Sequence, residues 1–165
     1  MTLILFKNAN WFPARNIIKS KIDVKAGNMT FSQRIELGKI LTTSVNESVK
    51  MEKTIQLLHE YRPKLKELPR LITYFQEIID GMIYWNAAEN KLLKYEPTPE
   101  EKRAGISELS KKIGELGTVT AMAEKYSQDP DVILKWKYSK VFGLLLADLE
   151  KAKFNKRYMT AIKKS

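Results

Sequence analysis

Apolar residues recur at helical spacing through most of this chain, and caps, prolines and glycines mark where each run begins and ends. Thr30-Phe31-Ser32-Gln33 sets a hydroxyl three residues ahead of a glutamine, the pattern of a capping box. Ile35, Leu37, Ile40 and Leu41 follow as the apolar side of a first helix. After a break at 42–46, Val49, Met51, Ile55 and Leu58 define a second helix over 47–61, which Arg62-Pro63 stops. Lys64 to Leu68 is a basic connector, and Pro69 stands where a first-turn proline stands. Leu71, Ile72, Phe75, Ile78, Ile79, Met82, Ile83 and Leu93 then predict a long core helix over 70–95.

The second half repeats this grammar. Thr98 is placed to cap a helix, Pro99 to occupy its first turn, and Glu100 and Glu101 to face the positive end of its dipole. Ile106, Leu109, Ile113 and Leu116 continue that helix, with Gly105 and Gly114 inside it and Gly117-Thr118 as stop and new cap. A short helix over 119–126 leads to the turn Ser127-Gln128-Asp129-Pro130. One long amphipathic helix is expected from Asp131 to about Met159, with Leu134, Tyr138, Val141, Phe142, Leu145, Leu149 and Ala152 on its apolar face.

Before Thr30 the signal differs. Thr2–Phe6 favours a strand, Trp11-Phe12-Pro13 breaks it, residues 16–24 alternate loosely, and Gly27-Asn28 reads as a turn. The expected fold is therefore mainly α: a bundle of about five to six helices with a small N-terminal β element or extended arm. The arm spans 1–28, an N-terminal helical part 29–95 and a C-terminal helical part 96–165, all within one compact domain.

Composition narrows the function. The chain has 165 residues, 44% of them hydrophobic and 29% charged, enough to bury a core without staples. It has no cysteine, which excludes disulfides, cysteine metal sites and thiol nucleophiles and suits a reducing cytoplasm. No stretch has the length or apolarity of a membrane span, and the opening segment has Lys7 after its short apolar run, unlike a secretory signal. The net charge of +10 favours acidic partners, and nine basic against two acidic residues over Lys135–Lys164 concentrate it at one end.

Four constellations could carry chemistry. The helix pair around Ala121–Lys137 has helix-turn-helix spacing, which would aim Asp131, Lys135 and Lys137 at base edges, with Lys125 and Lys140 at phosphates. An acidic residue leading a recognition helix argues against that reading, and an ordinary helical corner is the plain alternative. Trp136, Tyr138, Phe142, Phe154 and Tyr158 form an aromatic series that suits a partner interface, or core packing at the positions where leucines interleave. His59 is the only histidine and lacks a ligand cluster. Glu100-Glu101 is better explained by helix-start electrostatics than by acid–base chemistry. No nucleophile grouping, glycine-rich phosphate loop or zinc spacing can be read, so no cofactor is expected and an enzyme is the least favoured class.

Two stretches carry a resemblance. Ile22–Leu41 (IDVKAGNMTFSQRIELGKIL) is similar to the extended segment, Thr-x-x-Gln and helix that open some tail assembly chaperones of tailed bacteriophages. Asp129–Tyr158, with its Asp-Pro start, tryptophan, aromatic-leucine run and basic aromatic finish, resembles their closing helix. The resemblance implies a small helical protein without catalysis, in the bacterial host cytoplasm or the virion, that binds a tape-measure, tail-tube or other virion protein. On that reading the last helix presents Trp136, Tyr138, Phe142, Phe154 and Tyr158 to a protein partner or to itself, with DNA binding through the helical corner as the alternative.

Overall fold

The computed structural model describes Ile17 and residues 20–162. The described residues fold into seven α-helices and one 3-10 turn, with no strand. Most of the expectation of an N-terminal β element lies outside them; within residues 20–28 the chain forms a turn.

The capping box at Thr30 forms as the sequence dictates. Gln33 N donates to Thr30 Oγ1 at 3.1 Å and Thr30 N to Gln33 Oε1 at 2.9 Å, starting α1 at Phe31–Thr42. Asn46 caps α2 (Glu47–His59), accepting from Val49 N at 2.9 Å, and Glu60 closes it in the left-handed conformation. The connector is not merely basic. Glu67 is buried, its carboxylate accepting from Tyr61 OH at 2.6 Å and Lys64 N at 2.8 Å, and this fixes the 3-10 turn Leu65–Glu67 ahead of α3 (Leu68–Leu92). Leu71, Phe75, Ile78, Met82 and Trp85 line the buried face of α3, the central helix. Ile72 and Ile83, expected in the core, are exposed because they fall on the other side of the 3.6-residue period.

The second half corrects three expected boundaries. The helix expected over 100–116 splits: α4 is Pro99–Arg103, and Gly105 at φ +81° turns the chain into α5 (Ile106–Tyr126). Gly117-Thr118 does not interrupt α5. The break falls at Gly114, whose φ 52° and ψ −137° are conformations only glycine adopts readily. The long final helix is two helices, α6 (Pro130–Leu134) and α7 (Tyr138–Ile162).

The cause of this last break is tertiary. Residues 135–137 run antiparallel to the segment before α1: Phe31 N donates to Trp136 O at 2.8 Å and Tyr138 N to Met29 O at 2.8 Å, around a bridge between Thr30 and Lys137. Ser139 N also reaches Gly27 O at 3.2 Å. These bonds satisfy the amides that a continuous helix would have used internally, so the helix can stop without glycine or proline.

The turn before α1 is seated as closely. A side chain at Gly27 (φ +68°) would meet Trp85 at 2.7 Å and the Ser139 Cβ at 2.8 Å, and one at Gly81 would meet Val24 at 2.9 Å. Trp85 Nε1 donates to Val24 O at 2.8 Å and its ring packs edge-on against Tyr138 and Phe142, each at 5.1 Å. A single core cluster thus joins Val24, Met29 and Leu37 to Val119, Ile133 and Val141.

Candidate interaction face on the C-terminal helix

The five aromatic side chains grouped by sequence divide into two sets. Tyr138 is in the core: its hydroxyl donates to Glu89 Oε1 at 2.6 Å, and the Arg34 guanidinium lies 5.5 Å from its ring centre. Arg34 in turn donates to Glu89 at 2.8 Å and Asn86 at 2.5 Å, so one partly buried network ties α1, α3 and α7 together. Burial first, and then the Glu89 bond, push the Tyr138 hydroxyl pKa well up, and it stays a neutral donor. Phe142 is half-buried against Trp85 and Tyr138. Trp136 is half-buried edge-on to Tyr126, with Lys140 Nζ 3.4 Å above its ring.

Phe154 and Tyr158 form the second set. They are 59% and 56% exposed and stack on each other, ring centres 6.2 Å apart with the planes 12° from parallel. Every described residue from Glu150 onward is exposed, so the outer half of α7 runs about 20 Å past the core. At 100° per residue, Gly143, Ala147, Phe154 and Tyr158 share one side of α7, opposite the side that buries Tyr138 and Val141. Gly143 and Ala147 are exposed, and a side chain added at Gly143 would meet nothing within 4 Å. Ile162, 50% exposed, extends this apolar side at the far end. The outer half carries Lys151, Lys153, Lys156 and Arg157 and no acid after Glu150.

The other side of α7 faces the end of α3 across a cleft of ≈ 640 Å³ lined by Tyr95, Glu101, Leu149 and Lys156 among others. Tyr95 OH sits 2.6 and 2.7 Å from the two Glu101 oxygens, and Thr98 N donates to the same carboxylate at 2.7 Å. Those bonds hold the Glu101 pKa below the ordinary carboxylate range, Tyr95 contributing most. Glu101 thus completes the capping box that Thr98 opens on α4, and Glu100 pairs with Arg103 at 3.2 Å, both in the first turn where the helix dipole favours acids.

The helical corner does not carry a recognition helix. α6 has five residues and is pinned by Ile133, which is wholly buried; Lys135 ends it and Lys137 lies in the bridge, so no single helix presents Asp131, Lys135 and Lys137. Lys135, Lys137 and Lys140 are exposed, while Lys125 is paired with Asp148 on α7. His59 Nε2 meets Tyr74 OH at 2.8 Å, and no metal-ligating cluster of three or more side chains occurs among the described residues.

Sequence reasoning missed the Trp85 hub and the Arg34–Glu89–Tyr138 network. The i, i+4, i+7 spacing of Ile78, Met82 and Trp85 could have given the first; the second joins residues about fifty positions apart and leaves no local trace. What the fold defines is an all-α body with a protruding, basic, aromatic-faced helix. The chain matches no family model, no curated protein and no solved structure.

Proposed function

We propose that this chain is a non-enzymatic assembly protein whose helical body holds the outer half of α7 out for docking on another polypeptide. The observation that carries this is the exposed Phe154–Tyr158 stack on a helix segment that contributes nothing to the core. Covering a side chain such as Phe154 is worth roughly 1.5–3 kcal/mol, so a helix that leaves this face in water gains from a partner that covers it. The surrounding lysines and arginine favour a partner with acidic groups at the rim of the contact. The resemblance to phage tail assembly chaperones suggests the class of partner, a tail or other virion protein met in the host cytoplasm. The second stretch of that resemblance, however, is two helices rather than one.

A photo-crosslinking residue at position 158, compared with one at exposed position 53, tests the reading in cells that make the protein. The expected result is a defined protein adduct from 158 alone, with the purified pair losing at least tenfold in affinity in the Phe154→Ala/Tyr158→Ala variant. Equal adducts from both positions, or affinity unchanged in the double variant, would sink it. So would binding dominated by duplex DNA with a steep log-linear salt dependence.

A further inference from the structure

We infer that the partner of this face is a second copy of the chain, paired through α7 in antiparallel register about a two-fold axis between residues 150 and 151. The inference rests on the docking role proposed for α7 and names its occupant.

The face is complementary to itself in shape. Its inner end is small, Gly143 and Ala147, and open; its outer end is large, Phe154 and Tyr158, and exposed. The spacings match: four residues separate the members of each pair, and turning one helix end for end about 150–151 sets Ala147 against Phe154 and Gly143 against Tyr158 at once. Each aromatic ring then fills a notch where the partner has little or no side chain, and the same contact occurs twice, as an isologous interface requires.

Charge selects the same direction. The outer half of α7 carries four cations, Lys151, Lys153, Lys156 and Arg157, whereas residues 138–150 carry Lys140, Asp148 and Glu150. Lys153 and Lys156 line the cleft on the other side of the helix, so parallel pairing would set Lys151 and Arg157, the two cations that flank this face, against their own copies. Antiparallel pairing sets these two against a half with a slight acidic excess, leaving only the two Lys151 side chains close together at the axis, where their long stems can carry the charges to water.

The protein has no cysteine, so single cysteines report the geometry without background. Under mild oxidation, Lys151→Cys should form a disulfide-linked dimer. Gly143→Cys should not, because its two copies lie roughly 22 Å apart along the axis, beyond the reach of a disulfide. An equimolar mixture of Ala147→Cys and Phe154→Cys chains should cross-link to each other and not to themselves. Sedimentation equilibrium of the unmodified chain should show a monomer–dimer equilibrium that Phe154→Asp shifts to monomer with its helical circular dichroism unchanged.

Self-linking at every position, as parallel helices give, would overturn the proposal. So would linking at none, or a Phe154→Asp chain that is still dimeric. A chain that sediments as a monomer yet gives a Phe154-dependent adduct with a different protein overturns self-pairing while leaving the docking role standing.

Discussion

At the scale of single residues, the N-terminal turn is held by fit. Gly27 has a backbone conformation that L side chains rarely adopt and no room for a Cβ between Trp85 and Ser139. Gly27→Ala is therefore expected to destabilise the fold by about 1–3 kcal/mol from strain alone, with a further cost from overpacking, read as a lower urea midpoint. His59 gives the same region a pH dependence. His59 Nε2 lies 2.8 Å from Tyr74 OH, a hydroxyl that accepts from Ile22 N at 2.9 Å and donates to Ile22 O at 3.4 Å, so the partly buried imidazole sits beside a neutral group and no charged one. Burial lowers the His59 pKa below its ordinary value, while Tyr74 is pushed up to about 12 by burial and stays neutral. The folded state then binds fewer protons than the unfolded chain. Stability is full above about pH 6.5 and falls as the pH drops through that value toward the lower folded pKa. His59→Gln should flatten this slope in denaturation curves taken between pH 7 and pH 5; an equal slope in the variant would exclude His59 as its source.

At the scale of elements, α6 and α7 have opposite roles from those their sequence invites. α6 begins with Asp129, Pro130 and Asp131 like an exposed helix start, yet Ile133 anchors it in the core. Ile133→Ala should cost about 2–5 kcal/mol. The outer half of α7 has apolar residues at regular spacing, yet all of them are in water. At concentrations low enough to keep the chain monomeric, ending it after Lys151 should change the unfolding free energy by less than about 1 kcal/mol, because the lost residues cover almost none of the core. Chemical denaturation of the two variants side by side checks both expectations.

At the scale of the whole molecule, self-pairing through α7 would link stability to concentration. The thermal midpoint of the full chain should rise as concentration is raised, and that of Phe154→Asp should not. How much of this was legible in the sequence depends on the range of the interaction involved. Caps at Thr30, Asn46, Thr98 and Asp129, first-turn prolines at 69, 99 and 130, and the apolar stripe of α3 act within one or two helical turns, and local sequence determines them. The mainly α class follows from them. Tertiary structure decided the rest. The stop between α6 and α7 has no breaker residue, because its amides are satisfied from Met29 and Gly27 more than a hundred positions away. Tyr138 and Phe154 look alike along the helix, since an aromatic at helical spacing reports a face but not what covers it. Only the packing of α3 and the N-terminal turn against the first half of α7 buries one and leaves the other free. The sequence by itself determined the helices and their ends; which apolar faces became core and which stayed open was settled by contacts between residues far apart in the chain.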